Sequence, residues 1–90
     1  MSEKAVERAL CTEVKTAGGV AYKFTSPARR SVPDRLCLYP IHPKDRIVVA
    51  QYVRFVECKD KGKKPNAGQK REIKRLRDLG FYVVVRDGSN

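Results

Sequence analysis

The sequence predicts an α/β fold with the element order αβββαβ, in which a mixed central sheet is flanked by helices. Two stretches carry apolar residues at helical spacing, and four other stretches are rich in β-branched and aromatic residues. Short loops join the first three strands, which favours an antiparallel meander. A right-handed crossover through the second helix would place the last strand parallel to the third. The chain has 90 residues, which is the size of one domain spanning residues 1–90.

The first helix is predicted over residues 3–17, where apolar side chains from Val6 to Ala17 form one stripe. Ser2 precedes the stripe as an N-cap, and a glycine pair at 18–19 follows it as a stop signal. The glutamates of this segment lie on the stripe or at its edge, and they are Glu3, Glu7 and Glu13.

The second helix is predicted over residues 66–79, and Gly80 ends it. Gln69 falls on the same face as Ile73, so its amide needs a polar partner among apolar residues. Asn66 as N-cap with Gln69 three positions later is the pattern of a capping box. The spacing leaves both roles open for Gln69, in helix capping and in a functional site.

The four strands are predicted over residues 20–24, 35–39, 47–59 and 81–85. The third run is the longest and is predicted to be the central strand of the sheet. A proline-containing loop over 25–33, a turn over 40–45 and a basic loop over 60–65 separate these elements.

The chain is strongly basic, with twenty Lys and Arg against ten Asp and Glu and a net charge of +10. This balance favours a polyanionic partner, with nucleic acid first and an anionic membrane surface second. The basic residues do not line one face of an amphipathic helix, which argues against the membrane. The predicted phosphate contacts form two clusters: Lys23, Arg29, Arg30 and Arg35, then Lys61, Lys63, Lys64, Lys70 and, beside them, Arg71.

Three features predict a soluble intracellular protein. No apolar run approaches the roughly 20 residues of a membrane span, and the N-terminus lacks a signal-peptide core. The cysteines are odd in number and have no CxxC spacing, which indicates reduced thiols and neither a disulfide framework nor a zinc site.

Acidic and basic residues near two strand ends suggest metal-dependent chemistry. Asp34 lies at the entrance of the second strand, and strand periodicity places Phe55, Glu57 and Lys59 on one face of the third. Carboxylates on neighbouring strands can converge on Mg²⁺, which prefers hard oxygen ligands. Each part alone is common, because Pro-Asp is ordinary turn chemistry and a Glu–Lys pair is often an exposed ion pair. The combination predicts metal-assisted cleavage of a phosphodiester.

Taken in order, these residues resemble the virus-type replication-repair nuclease (VRR-NUC) domain, a branch of the PD-(D/E)xK nuclease superfamily. The resemblance covers nearly the whole chain, from residue 3 to about residue 86. It is carried by Glu7, Gly18-Gly19, Lys23, Pro33-Asp34-Arg35, Phe55-Val56-Glu57-Cys58-Lys59, Gln69 and Leu76-x-x-x-Gly80-Phe81. It implies a restriction-endonuclease-like core and the minimal stand-alone form of the domain seen in phages and bacteria. The expected location is therefore the cytoplasm of a bacterium or phage-infected host cell.

The resemblance also implies roles for Asp34 and for the end of the third strand. Asp34 and Glu57 would ligate Mg²⁺ or Mn²⁺ together with the backbone carbonyl of Cys58. Lys59 would orient the attacking water and help to deprotonate it. The products would carry a 5′-phosphate.

The N-terminal helix of this superfamily often supplies a further acid, and Glu7 is expected here because of its distance ahead of the glycine pair. Glu3 and Glu13 stay open as alternatives. Gln69 matches the helix glutamine of the family, which favours a place in the active site.

Stand-alone members of this branch resemble Holliday junction resolvases, which are two-fold symmetric dimers. The resemblance therefore implies a homodimer that cuts branched DNA. Two alternatives remain: a nicking or restriction-type nuclease on linear duplex, and a non-catalytic nucleic-acid-binding module in which Glu57 and Lys59 form only a salt bridge.

Overall fold

The computed structural model describes residues 1–89, and the chain divides into two compact units, Met1–Pro40 and Ile41–Asn90. Three α-helices and four strands are present in the described residues, which confirms the α/β class. The strands form two two-stranded sheets, one antiparallel and one parallel. No helix within residues 1–89 has the length and apolar character needed to cross a bilayer.

The first unit packs one helix on a β-hairpin. It contains helix α1 (Glu3–Thr16) and strands β1 (Val20–Lys23) and β2 (Arg35–Leu38). The Ser2 hydroxyl accepts the Ala5 N–H at 3.1 Å, so the predicted N-cap is confirmed. The core of this unit contains Val14, which is fully buried, and Leu38.

The second unit is built on a parallel strand pair with a helical crossover. It contains α2 (Arg46–Tyr52), β3 (Arg54–Cys58), α3 (Ala67–Leu79) and β4 (Tyr82–Arg86). β3 pairs with β4 in parallel, as predicted for the third and last strands. Leu76, Leu79 and Val83 are buried between α3 and the strands, and the rings of Phe55 and Phe81 meet edge to face at 5.6 Å.

The turn from α3 into β4 depends on Gly80, which ends the helix as predicted. Gly80 has φ of +105°, a conformation that side chains disfavour. Its N–H donates to the Arg77 carbonyl at 2.9 Å, and the Phe81 N–H donates to the Leu76 carbonyl at 3.1 Å. These two bonds form a Schellman motif, which satisfies carbonyls that the helix end would otherwise leave free.

The prediction of one continuous strand over residues 47–59 is wrong in its first half, because Arg46–Tyr52 is helical. A continuous apolar run such as Ile47–Ala50 suits either state. The His42 ring accepts the Lys44 N–H at 3.1 Å and caps the 3-10 turn Pro43–Asp45, which leads directly into α2. At the other end of α2, the Arg54 side chain donates to the Ala50 carbonyl at 2.9 Å and so supplies a partner for one of the last carbonyls.

The strand pairing also differs from the predicted meander. β1 and β2 are antiparallel, with Val20 opposite Leu38, as expected for neighbouring strands joined by a short loop. β3, however, pairs with β4 and not with β2. In place of one mixed sheet, residues 1–89 form an antiparallel pair, β1 with β2, and a parallel pair, β3 with β4.

We predict that Gly80→Ala lowers the free energy of unfolding more than Gly88→Ala does. Both glycines have positive φ, which alone costs an L-residue about 1–2 kcal/mol. A Cβ on Gly80 would also lie 2.7 Å from Arg46 Nε and 3.2 Å from Ile41 Cβ, whereas one on Gly88 would meet nothing within 4 Å. Urea unfolding measures both values, and equal losses would contradict the crowding at Gly80.

Candidate functional site

Strand β3 presents the predicted catalytic pair on one face. Phe55, Glu57 and Lys59 are half-buried, whereas Val56 and Cys58 between them are exposed. The Lys59 N–H donates to the Arg86 carbonyl at 2.8 Å, so the pairing with β4 continues one residue beyond β3. The strand alternation that the sequence predicted is therefore confirmed through Lys59.

Gln69 forms the capping box that the sequence predicted, and its side chain also contacts Lys59. Its Oε1 atom accepts the Asn66 N–H at 2.9 Å, and its own N–H donates to Asn66 Oδ1 at 2.8 Å, which completes the capping box. The same Oε1 atom accepts a bond from Lys59 Nζ at 3.3 Å. The helix cap thus positions an amide oxygen against the lysine ammonium.

An open groove of about 380 Å³ runs between β3 and the first turns of α3. It is lined by Phe55, Val56, Glu57, Gly68, Gln69, Glu72, Ile73 and Leu76. Glu57 and Gln69 are thus polar groups in a largely apolar groove of the second unit. Among residues 1–89, Glu57 makes no ion pair, and in particular none with Lys59.

Three carboxylates converge in the first unit. Oxygen atoms of Glu3, Glu7 and Asp34 lie within 4.8 Å of one another, with Glu7 half-buried and the other two exposed. Such a set suits a hard divalent cation such as Mg²⁺ or Mn²⁺. The structure therefore brings Asp34 together with Glu7 and with Glu3, two of the three helix glutamates considered from the sequence. Glu13 is not part of this group.

Glu7 is held in place by Arg35, which follows Asp34 along the chain. Arg35 Nε and one terminal nitrogen donate to the same oxygen of Glu7, at 3.0 and 2.9 Å. The bond to Glu7 raises the pKa of Arg35, so this guanidinium stays charged. Arg35 was predicted to contact DNA phosphate, and in the structure its charge is directed at Glu7.

The other predicted phosphate contacts lie on exposed parts of both units. Lys23 ends β1 and the pair Arg29-Arg30 lies in the loop that follows, all within the first unit. Lys70 lies on the surface of α3. The remaining three are exposed in the basic loop of residues 60–65, and they are Lys61, Lys63 and Lys64.

Asp87 anchors the basic loop, and it was missed by the analysis of the sequence. Its carboxylate accepts the Gly62 N–H at 3.0 Å and the Ser89 N–H at 2.9 Å. The bond from Ser89, two residues later, is the usual local partner of an aspartate in a turn. The Asp87-Gly88-Ser89 sequence could have indicated that turn, whereas the link to Gly62 depends on the fold.

A comparison with known proteins finds a relative over almost the whole chain. The relative is "Putative nuclease p44" from Acyrthosiphon pisum secondary endosymbiont phage 1, and it is 46% identical over 88 residues. The match covers 98% of this chain and 85% of the phage protein. No protein-family model matches the chain, and no solved structure matches it.

We predict that the stabilisation from Asp87 is lost in acid. Hydrogen bonds from the backbone N–H groups of Ser89 and Gly62 lower the pKa of Asp87 in the folded chain. Because the folded pKa lies below the unfolded value of about 3.9, the contribution is fully present above that value and is lost as the pH falls through the folded pKa. The free energy of unfolding should therefore differ between the native chain and Asp87→Ala at neutral pH, and this difference should shrink towards pH 2. A difference that does not change with pH would contradict the role of the charged carboxylate.

Proposed function

The chain belongs to the family of the phage protein p44, and on that premise we propose that it is a metal-dependent endonuclease that hydrolyses phosphodiester bonds in DNA. The observation that carries the proposal is the identity of 46% over 98% of the chain with a protein named as a nuclease. The order of the motifs from Glu7 to Phe81 resembles the VRR-NUC branch of the PD-(D/E)xK superfamily, and this resemblance supports the proposal.

The environment of Glu57 supports a metal ligand at this position. The Glu57 carboxylate is half-buried and lines the open groove between β3 and α3. Lys59 shares its face but bonds to Gln69, and no residue in 1–89 forms an ion pair with Glu57. A divalent cation would therefore bind this carboxylate without displacing a cationic side chain. This arrangement favours the nuclease over the non-catalytic alternative, which required a Glu57–Lys59 salt bridge.

The proposed ligands are Asp34, Glu57, the backbone carbonyl of Cys58 and, from α1, Glu7. Their assignment rests on the resemblance to the superfamily, and all are oxygen donors, which suit Mg²⁺ or Mn²⁺. When bound, the metal would polarise the scissile phosphate and lower the pKa of an attacking water. The carboxylates would hold the ion while the phosphodiester bond to the 3′ oxygen breaks and the phosphate stays on the 5′ end.

Lys59 is the proposed partner of the attacking water. Its ammonium is a mobile donor on a flexible stem, and the bond to Gln69 Oε1 at 3.3 Å restricts where that donor lies. Gln69 thus acts as a positioning residue for Lys59. Placing the donor in advance avoids reorganisation when negative charge develops on the phosphate oxygens.

Binding of DNA would rest on the excess positive charge of +10. Contacts between Lys or Arg and phosphate release counterions and supply affinity without regard to base sequence. The proposed contact residues are Lys23, Arg29, Arg30, Arg35, Lys61, Lys63, Lys64 and Lys70. Since Arg35 bonds to Glu7, a contact from Arg35 would require sharing or exchange of that bond.

Branched DNA is the proposed substrate, and a homodimer is the proposed assembly. Both follow from the resemblance to stand-alone nucleases related to Holliday junction resolvases. A four-way junction has two-fold symmetry, and a symmetric dimer would direct one active site to each of two opposing strands.

We predict metal-dependent nicks in a synthetic four-way junction, at symmetric positions and in preference over a linear duplex of the same sequence. Asp34→Ala and Glu57→Ala should abolish cleavage because each removes a proposed metal ligand. Lys59→Ala should reduce the rate about a hundredfold or more by removing the group that acts on the water. End-labelled DNA on a denaturing gel, with Mg²⁺, Mn²⁺ or EDTA, measures each outcome.

Asp45→Ala provides the control for the loss of an acid, because Asp45 is exposed and its side chain makes no cap bond. Cleavage that persists in EDTA or in Asp34→Ala would contradict the metal site. Equal nicking of duplex and junction would exclude the junction preference while keeping the nuclease, and a monomer by light scattering would exclude the dimer. Binding without cutting would support the non-catalytic module.

We predict that Gln69→Ala and Asn66→Ala destabilise the chain alike but differ in activity. Each removes one half of the capping box, which is worth about 1 kcal/mol. Only Gln69→Ala also removes the partner of Lys59, so only this variant should lower kcat, by about tenfold or more. Urea unfolding and single-turnover cleavage separate the effects. If both variants had the same kcat, Gln69 would act only as a helix cap and would not position Lys59.

A further inference from the structure

A second cavity, of about 380 Å³, lies beside the proposed catalytic lysine at the base of the basic loop. It is lined by Cys58, Lys59, Asp60, Lys63 and Lys64. Three ammonium groups against one carboxylate make its lining electropositive. A cavity of this kind suits a compact, highly charged anion such as phosphate, which lysine binds as a point charge.

Backbone bonds fix the shape of the loop around this cavity. The Lys59 N–H donates to the Arg86 carbonyl at 2.8 Å, and the Lys63 N–H donates to the Asp60 carbonyl at 2.9 Å. Asp87, the next residue after Arg86, accepts the Gly62 N–H at 3.0 Å in the middle of the loop. The end of β4 thus holds both sides of the loop.

We propose that this cavity is a subsite for one phosphate of the DNA backbone, next to the scissile phosphodiester, and that Asp87 is its positioning residue. Lys63 and Lys64 contact that phosphate, and Lys59 lies between the subsite and the reacting group. The proposal rests on the proposed nuclease function and deepens it. It also separates the loop lysines, since Lys61 is not among the residues that line the cavity.

Replacing Asp87 provides a test, because two explanations predict opposite changes in DNA affinity. If only the total charge mattered, removing an acid from a chain of net charge +10 would strengthen the binding of DNA. If Asp87 positions the loop, removing its carboxylate releases Gly62 and displaces Lys63 and Lys64, so binding weakens.

The experiment measures the binding of a short fluorescent DNA duplex by anisotropy in EDTA, over a series of salt concentrations and without cleavage. Replacing Lys63 and Lys64 together with alanine should reduce the slope of log K against log salt by about 0.9, the value for one phosphate. Lys61→Ala should change the slope by less, and Lys44→Ala, outside the loop, should leave it unchanged. Asp87→Ala should raise Kd, although it makes the chain more positive.

A combination of variants tests whether Asp87 acts through the two lysines. In the Lys63→Ala/Lys64→Ala background, Asp87→Ala should no longer weaken binding, because interacting sites are not additive. Weakening by the same factor in both backgrounds would overturn the positioning role. A slope that falls as much for Lys61→Ala as for Lys63→Ala/Lys64→Ala, or tighter binding by Asp87→Ala in the native background, would overturn the proposal.

These outcomes are distinct from failure of the nuclease proposal. Absence of cleavage under any metal would refute the nuclease, whereas the salt slopes in EDTA would still report the phosphate contact. Cleavage with equal slopes for all loop lysines would keep the nuclease and refute the subsite. Lys63 and Lys64 are exposed, so their variants still test the subsite even if Asp87→Ala unfolds the chain.

Discussion

The parallel pairing of β3 with β4 is the constraint on which the second unit depends. It aligns Arg54 with Tyr82 at one end and Cys58 with Arg86 at the other, and the Lys59 N–H extends it by one more bond. A shift of one residue in this pairing would exchange the two faces of β3, so that Glu57 and Lys59 would take the exposed positions now held by Val56 and Cys58. The register therefore determines which side chains reach α3. It also places Asp87 where it can hold the basic loop.

That register is set by the connection between the strands rather than by the strands alone. α3 begins at the Asn66–Gln69 capping box and ends at the left-handed Gly80, so both of its ends are fixed by local bonds. Leu76 and Leu79 then pack against Val83, and the N–H of Ile41 donates to the Leu79 carbonyl at 2.8 Å. The capping box has a second consequence, because the amide oxygen that caps the helix also accepts from Lys59. Helix stability and the placement of the lysine are thus coupled through one atom.

The predictable parts of the fold were those specified by local chemistry. Ser2, Asn66 and Gly80 mark helix ends through side-chain caps or backbone freedom, and the structure confirms each of them. The alternation around Glu57 follows from strand geometry. The prediction for Arg46–Tyr52 was wrong because a short apolar run suits both a strand and a helix, and the bond from Arg54 to the Ala50 carbonyl at the helix end has no distinctive sequence pattern.

The contacts within the candidate site were harder to predict from the sequence, for a different reason. Glu7 could be selected among the helix glutamates by its distance from the glycine pair, and it does lie near Asp34, but so does Glu3. The bond between Arg35 and Glu7 joins residues 28 positions apart, so no local pattern indicates it. The link from Asp87 to Gly62 spans 25 positions and is equally invisible in the sequence. Contacts of this kind depend on the tertiary fold.

The acidic residues of this basic chain differ in their partners. Glu7 bonds to Arg35, Asp78 bonds to Lys74 at 2.7 Å, and the carboxylate of Asp87 bonds to backbone N–H groups. Within residues 1–89, Glu57 forms no ion pair, although twenty cationic side chains are available in the sequence.

The nearest cation along the strand face of Glu57 is Lys59, and it bonds to an uncharged amide instead. A Glu57–Lys59 salt bridge would satisfy both charges and leave neither available for chemistry. In the proposed nuclease, directing Lys59 to Gln69 would keep the carboxylate open to a metal ion and the ammonium open to a phosphate or a water. The amide of Gln69 would thus prevent a simple ion pair between Glu57 and Lys59.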